Sequence, residues 1–521
     1  MFIAVILLLW IATPGALAEE IPTPTAEDSL AVEIINAVIG VFENTDTPVW
    51  PGYDLATQPT LLYMPGRWAV LLNHDSRVPG YSAYPSHWPA VLVPALFYWG
   101  EIEELAGQLY FNYEIGPVTT VAVPIYTEVP DELGPAPLAM FAFIIHEAFH
   151  QFQRSVFRDM ESFSEEKYPI LDIENNVLIV LEMLILKDAI RQAELGDGAA
   201  VRHLGKMFVA VRETRWRRTI PIVHMVERAK ELQEGSAKFV EARYVGIMAD
   251  LCRSNADAAT GMCEYFTSLS TTAYLEDDFE RRLIDGALSP ADVPRNRIYP
   301  TGASLFILLD FLNVPWKDPV EEGKTELTLA GLLRESLGVP DSDLDKLVHE
   351  AKTRYDFDRI VTESRNLVER YNQEFEEAMA AFESQQGLRI DVEVPSSGLS
   401  RSRSSRGTRW TMDGGNKVFG ERYAVYTLRR SDPPFFLKVE NTGVLEERIG
   451  ETSKRVSFRV AALNEVTVDG TVIPLATPVR YTFEKLAVSG DGLRITAEGE
   501  GVMTVGADAV AIRIEFHSPI D

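Results

Sequence analysis

The stretch FAFIIHEAFHQFQ, residues 141–153, places two histidines and a glutamate inside an otherwise apolar segment. Its apolar residues recur at the spacing of one helix face: Phe141, Ile144, Ile145, Ala148, Phe149 and Phe152. The two histidines, His146 and His150, are four residues apart and fall on a different face of the same helix. The pattern therefore predicts a helix that buries one face in the core and directs both histidines towards a common point.

The spacing of these histidines favours a metal site. Side chains four residues apart on a helix lie side by side, with about 5–6 Å between their Cβ atoms. This separation suits two imidazole nitrogens that bind one Zn²⁺ at ~2.0–2.1 Å. Glu147 follows His146 directly, so its carboxylate can reach a water on the metal without binding the metal itself. The pattern H-E-x-x-H predicts His146 and His150 as zinc ligands and Glu147 as a general base; the alternative is a buried polar network without a metal.

A catalytic zinc ion needs a third protein ligand. No third histidine follows at the H-E-x-x-H-x-x-G-x-x-H spacing, because position 153 is Gln and position 156 is Val. An acidic residue from a later helix is therefore expected, and spacing alone leaves four glutamates open: Glu182, Glu227, Glu231 and Glu234. Glu234 precedes Gly235, which allows a neighbouring helix to approach closely, and Glu241 follows two turns later.

Three segments, HEAFH (146–150), EGSAKFVE (234–241) and YPTGASLFILLDFL (299–312), occur in this order. They resemble the three core motifs of the gluzincin metallopeptidases, especially the aminopeptidase-N-like group. The resemblance covers roughly residues 138–312 and implies a zincin-like fold that hydrolyses peptide bonds at a zinc ion. It implies a role for each of six residues: His146, His150 and Glu234 as zinc ligands, Glu147 as catalytic base, Glu241 as a glutamate behind the ligands, and Tyr299 as the group that stabilises the tetrahedral intermediate. The chain has no G-[AG]-M-E-N segment before the helix, so the resemblance does not extend to aminopeptidase specificity.

Length and charge restrict the class of protein. A chain of 521 residues is too long for one hydrophobic core, which favours two or three domains. Asp and Glu total 77 against 49 Lys and Arg, a formal net charge of -28. Such an excess of negative charge repels phosphate backbones and anionic lipid, so we expect no nucleic-acid partner.

Patterning along the chain predicts an α+β protein. Residues 19–390 read as a zincin-like metallopeptidase domain, with a mixed sheet over about 50–135 followed by a mostly helical part over about 136–390. The Ser-, Gly- and Arg-rich segment 391–409 is typical of a linker. Alternating and β-branched runs over 410–521 predict an all-β, sandwich-like domain.

Two features favour export from the cell. Residues 1–18 have the apolar run and the Ala-Leu-Ala cleavage pattern of a secretory signal peptide, although no Lys or Arg precedes that run. No later segment is long and apolar enough to span a membrane. We therefore expect a secreted or periplasmic protein, with an uncleaved anchor as the alternative. Cys252 and Cys263 are the only cysteines, and in an oxidising compartment we expect them to form a disulfide.

Together these observations predict an exported zinc metallopeptidase that acts on a peptide or protein substrate. Two alternatives stay open. The chain could be a catalytically inactive zincin-like protein whose β domain recognises a glycan or another protein, or it could hydrolyse a non-peptide substrate with zinc.

Overall fold

The computed structural model describes residues 21–74, 77–105, 109–158, 163–254, 261–323, 327–405, 407–474, 479–506 and 509–514. The predicted signal peptide, residues 1–18, lies outside these ranges. Within them, no helix combines the length and the apolar character that crossing a membrane requires.

The chain is α+β, as the sequence predicts, with an N-terminal mixed sheet, a helical middle and a β-rich C-terminal region. It divides into two units, Met1–Val156 with Val240–Thr271 and Phe157–Phe239 with Thr272–Asp521. The first unit holds the N-terminal sheet. The second unit holds most of the helices and the β-rich region.

The N-terminal sheet falls inside the range predicted for it. Its six strands are β1 (Thr60–Met64), β2 (Trp68–Leu72), β3 (Ser82–Ala83), β4 (Ala95–Trp99), β5 (Tyr110–Ile115) and β6 (Val118–Pro124). They are arranged in the order β3-β4-β2-β1-β6-β5. Strand β1 pairs antiparallel with β2 and parallel with β6, which makes the sheet mixed. Every residue of β1 and β2 is buried, so these two strands form the centre of the sheet.

Twelve α-helices occur in the described residues. They are α1 (Ala26–Glu43), α2 (Ala136–Val156), α3 (Ile173–Glu194), α4 (Gly198–Arg218), α5 (Pro221–Lys230), α6 (Ser236–Ser254), α7 (Thr271–Arg282), α8 (Ile298–Phe311), α9 (Lys317–Glu321), α10 (Leu329–Leu337), α11 (Leu344–Arg354) and α12 (Phe357–Ser384). A π-helical segment, Glu231–Gly235, joins α5 to α6. Short π-helical turns of this kind are rare and are often found at functional sites.

Helix α2 buries the apolar face that its sequence predicts. Phe141, Ile144, Ile145 and Phe149 are all 0% exposed. The Tyr53 hydroxyl donates to the Ile145 carbonyl at 3.0 Å, and its ring packs edge-on against Phe149 with 5.0 Å between centroids. Each large apolar side chain that is buried contributes roughly 1.5–3 kcal/mol. This packing fixes the rotation of α2 about its axis and therefore the direction in which its histidines point.

The π-helical segment packs against α8 at two glycines. A Cβ added to Gly235 would lie 2.7 Å from the Cα of Gly302, and a Cβ added to Gly302 would lie 2.7 Å from the Cα of Gly235. Real side chains do not approach backbone this closely, so both positions require glycine. The close helix approach predicted from Gly235 is confirmed, and its partner is the glycine of the YPTGA motif.

The remaining strands form a short hairpin and the C-terminal β-rich region. The hairpin consists of β7 (Leu283–Ile284) and β8 (Ala287–Leu288). The β-rich region contains β9 (Leu388–Pro395), β10 (Ser400–Ser405), β11 (Arg409–Met412), β12 (Lys417–Arg430), β13 (Phe435–Ile449), β14 (Ser453–Val460), β15 (Leu463–Val468), β16 (Thr471–Val472), β17 (Val479–Gly490), β18 (Leu493–Val505) and β19 (Ala509–Ile514).

Pairing in the β-rich region closes a ring, where the sequence suggested a sandwich-like stack of two sheets. Strands β13, β14, β9, β19 and β18 pair in turn, and β18 pairs back to β13. Each of these strands contributes buried apolar residues to one core, among them Val392, Leu437, Val456, Ile495 and Ile512. Alternation of apolar and polar residues is the same in a sandwich and in a closed sheet, so the sequence pattern does not distinguish between them.

Regular strands occupy part of segment 391–409, which the sequence suggested as a linker. Strand β9 pairs with β14 and β19, and β10 pairs with β12. In β10, Arg401 and Arg403 are half-buried, whereas Ser402 and Ser404 are exposed. The Ser-Arg alternation is therefore the two-residue period of a strand, with arginines in place of apolar residues on the inner face.

The predicted disulfide between Cys252 and Cys263 is confirmed, with 5.4 Å between the two Cα atoms. A bridge that closes a loop this short stabilises the fold by roughly 3 kcal/mol in the chain-entropy model.

Replacing Gly235 with alanine tests the contact between the π-helical segment and α8. We expect Gly235→Ala to lower the free energy of unfolding by about 1–3 kcal/mol, because the new methyl group overpacks two backbones. Gly198→Ala is the matched control, since the nearest atom to its added Cβ is a Phe311 ring carbon at 3.8 Å. Chemical denaturation measures both, and equal stability of the two variants would contradict the contact.

Candidate metal centre

Three side chains predicted as metal ligands come together. His146, His150 and Glu234 are buried, with exposed fractions of 5%, 7% and 4%. Each offers one ligand atom, and these atoms all lie within 4.8 Å of one another. Two imidazoles and a carboxylate make a donor set of the kind that Zn²⁺ takes in catalytic sites. The group could therefore hold a metal ion.

Hydrogen bonds at Nδ1 orient both imidazole rings. His146 Nδ1 lies 2.8 Å from Oε2 of Glu241, and His150 Nδ1 lies 2.6 Å from Oε1 of Gln153. An ionised carboxylate and an amide oxygen only accept hydrogen bonds, so each Nδ1 carries the proton. In the neutral form of each ring Nε2 then keeps its lone pair, and it is the atom that would bind a metal ion. Acceptors of this type behind a histidine fix its orientation and raise its basicity as a ligand.

Glu241 and Gln153 thus have the same function, because each accepts a hydrogen bond from Nδ1 of one histidine and orients its ring. Glu241 lies on α6, two turns after Glu234, and binds His146 from behind, as the resemblance implied. Sequence reasoning treated Gln153 only as a missing third histidine. Its position three residues after His150 was a usable signal, because residues three apart on a helix are neighbours.

Glu147 and Tyr299 are each close to one of the three predicted ligands. Glu147 is close in sequence, to His146, and Tyr299 is close in space, to Glu234. Glu147 is adjacent to His146 on α2 and is partly exposed, so water can reach it. Tyr299 is the second residue of α8 and lies one turn before Gly302. Burial and then the carboxylate of Glu234, to which the phenol is hydrogen-bonded, raise the pKa of Tyr299. The phenol is therefore protonated at neutral pH and can donate a hydrogen bond.

Two cations also face Glu234. Its Oε1 lies 3.4 Å from Lys230 Nζ and 3.6 Å from Arg295 Nη2. Arg295 in addition donates from Nε to the Tyr299 hydroxyl at 3.1 Å. Both positive groups lie at ion-pair distance from this buried carboxylate.

The other glutamates left open by spacing lie in a buried ionic cluster with three arginines: Glu182, Glu227, Glu231, Arg212, Arg215 and Arg297. Glu182, the alternative ligand, accepts from Arg212 Nε and Arg215 Nε, each at 2.7 Å. Glu231 accepts from Arg212 Nη1 at 2.8 Å. Each of these carboxylates thus has a guanidinium partner within the cluster.

The same cluster sets the charge of Glu227. Burial raises the pKa of this carboxyl, but Arg215, Arg297 and Arg212 outweigh that effect and hold the pKa well below its usual range. Glu227 is therefore ionised inside the protein. Sequence reasoning named the glutamates of the cluster but missed its three arginines, because nothing in a local pattern distinguishes a buried arginine from one on the surface.

Comparison of the chain with protein-family models, with curated proteins and with solved structures finds no match.

Metal content tests the centre directly. We expect purified protein to carry about one zinc ion per chain, measured by inductively coupled plasma mass spectrometry, because three buried ligands converge. Since a site with one ligand removed binds zinc weakly, His146→Ala should lose the ion. His203→Ala is the matched control, as His203 is exposed and pairs with Glu350. Equal metal content in the two variants would contradict the assignment.

Proposed function

We propose that this protein is an exported, zinc-dependent peptidase with a gluzincin-like catalytic region. The observation that carries the proposal is the convergence of His146, His150 and Glu234, with Glu147 on the same helix turn as the first ligand. The order of the three motifs and the position of Glu241 behind His146 support it. We include in the proposal a zincin-like fold for residues 19–390.

Export is the second part of the proposal. It rests on the signal-like pattern of residues 1–18 and on the disulfide between Cys252 and Cys263, since disulfides persist mainly in oxidising compartments. A secreted or periplasmic location fits both observations.

A bound zinc ion would act as a Lewis acid that lowers the pKa of water towards ~7 and polarises a carbonyl group. His146 and His150 would hold the ion through Nε2, and Glu234 through its carboxylate. Glu241 and Gln153 keep the two rings oriented. The buried surroundings strengthen each electrostatic interaction at the site.

Glu147 is the proposed proton carrier. It takes a proton from the attacking water and delivers it to the nitrogen that leaves, so one carboxylate acts first as general base and then as general acid. Its partial exposure agrees with a group that must meet both water and substrate.

Tyr299 is the proposed donor to the oxygen on which negative charge develops. Its raised pKa keeps the proton on the phenol, so it can donate a hydrogen bond. Donors aimed at such an oxygen contribute roughly 2.7–4 kcal/mol in comparable sites. Arg295 holds the phenol oxygen in place from the other side.

Substitution of Glu147 separates chemistry from metal binding. We expect Glu147→Gln to reduce hydrolysis of a peptide library by about 10²–10⁴-fold, because general-base catalysis is lost, while zinc content stays the same. Mass spectrometry of the products measures the rate. Glu194→Gln makes the same chemical change at an exposed position and should leave the rate unchanged.

Undiminished hydrolysis by Glu147→Gln would contradict the role of Glu147. A wild-type protein that holds zinc but cleaves no peptide would contradict the peptidase proposal itself.

A further inference from the structure

A basic cavity lies in the second unit, beside Glu234. It has a volume of about 410 Å³ and is lined by five cationic side chains: Lys230, Arg295, Arg401, Arg403 and Arg409. Two carboxylates, Glu165 and Glu166, also line it. Five positive and two negative groups line the cavity, and two further carboxylates lie against the same cations: Glu446 beside Arg401 and Arg403, and Glu234 beside Lys230 and Arg295. The five cations outnumber these four carboxylates by one, in a chain whose formal net charge is -28. The cavity is therefore an exception to the electrostatics of the whole protein.

One end of the cavity lies beside Glu234. Lys230 and Arg295 belong both to the cavity wall and to the surroundings of the Glu234 carboxylate. Arg295 also contacts Tyr299, the proposed donor. A molecule that fills the cavity therefore lies close to Glu234 and Tyr299.

The other end is built by the β-rich region. Arg401 and Arg403 alternate with serines on β10, and their side chains lie on the inner face of that strand. Arg409 is the first residue of β11. The backbone N–H of Thr411 donates to the Tyr371 hydroxyl at 2.8 Å, which ties β11 to α12. The wall that carries these arginines is thus held in place.

Two of these arginines already bind carboxylates of the chain itself. Arg401 lies 2.5 Å from Glu166 and 2.8 Å from Glu446, and Arg403 lies 3.1 Å from Glu166. Burial raises the pKa of Glu166, and the two arginines more than offset this and lower it. These contacts show that the arginines donate hydrogen bonds to carboxylates in this geometry.

Binding capacity is left over after these ion pairs. Arg403 Nη1 is buried without a hydrogen-bond partner in the described residues, and its nearest described carboxylate oxygen in an ion pair is Glu446 Oε1 at 3.6 Å. Arg409 is exposed, lines the cavity and makes no ion pair with any described carboxylate. Positive charges crowded in this way favour the entry of an anion.

We propose that the cavity is a substrate subsite that binds a carboxylate of the peptide, close to the bond that is cleaved. The substrates are then peptides with an acidic side chain or a free C-terminal carboxylate at that position. The role as a substrate subsite rests on the proposed function, whereas carboxylate binding by the cavity does not. The β-rich region would then determine which peptides the protein binds, by selecting those that carry a carboxylate.

Peptide binding tests the proposal without turnover. Fluorescence anisotropy with the Glu147→Gln protein compares peptides that contain Glu with the same peptides that contain Gln, each with a free or an amidated C-terminus. We expect the carboxylate form to bind at least tenfold more tightly, which is about 1.4 kcal/mol. Loss of binding on Glu-to-Gln exchange identifies a side-chain carboxylate, and loss on amidation identifies the terminal one.

Removal of one cavity charge should erase this preference. We expect Arg409→Gln, added to the Glu147→Gln protein, to reduce the ratio of affinities for carboxylate and neutral peptides about tenfold. Because Arg409 makes no ion pair with a described carboxylate, we expect its loss to leave the stability of the fold unchanged. Arg480→Gln, at an exposed position on β17, is the control and should leave it unchanged. Equal affinity for acidic, neutral and amidated peptides, or no effect of Arg409→Gln, overturns the proposal.

The two proposals fail in different ways. Wild-type protein that cleaves peptides without any preference for a carboxylate refutes the subsite and leaves the peptidase proposal standing. Protein that binds carboxylate peptides through Arg409 but cleaves none supports carboxylate binding by the cavity and refutes the peptidase proposal.

Discussion

A carboxylate buried in a protein needs a positive partner or a hydrogen-bond donor, since an isolated charge in the interior is costly. The helical stretch from α5 to α6 carries four buried glutamates, Glu227, Glu231, Glu234 and Glu241. Arg215 donates to Glu227, Arg212 donates to Glu231, and the Nδ1–H of His146 donates to Glu241 at 2.8 Å. Glu234 lies 3.4 Å from Lys230 Nζ and 3.6 Å from Arg295 Nη2, and it forms with His146 and His150 a group that could hold a metal ion. The placement of charge along one helical stretch thus prepares a position that a metal ion would complete.

Backbone geometry serves the same end. The π-helical segment Glu231–Gly235 contains both Glu231 of the ionic cluster and Glu234, and short π turns of this kind are often found at functional sites. The contact between Gly235 and Gly302 then brings α8, and with it Tyr299, against this segment. In local terms a glycine in a helix and a π turn are both unfavourable. The glycine and the π turn both occur next to Glu234 and Tyr299. Locally unfavourable features of this kind are expected at functional sites.

Local patterns predicted the parts that depend on neighbours in the chain. The two faces of α2, the pairing of His146 with His150, and the position of Glu241 two turns after Glu234 all follow from helical periodicity. Helical periodicity does not decide which glutamate is the third ligand: Glu182, Glu227, Glu231 or Glu234. That choice depends on arginines from distant segments of the chain. The strands β9 and β10 were missed for a related reason. Arginines on the inner face of β10 are stabilised by Glu166, more than 200 residues earlier, and without that partner the segment looks like a polar linker.

The central claim is that two histidines of α2 and Glu234 bind one metal ion. Crystallographic data collected on either side of the zinc absorption edge test it most directly. The account predicts a single anomalous peak per chain, at ~2.0–2.1 Å from His146 Nε2 and His150 Nε2 and ~2.0–2.2 Å from a Glu234 oxygen. A zinc ion bound without Glu234, or no zinc peak at the histidines, would contradict it.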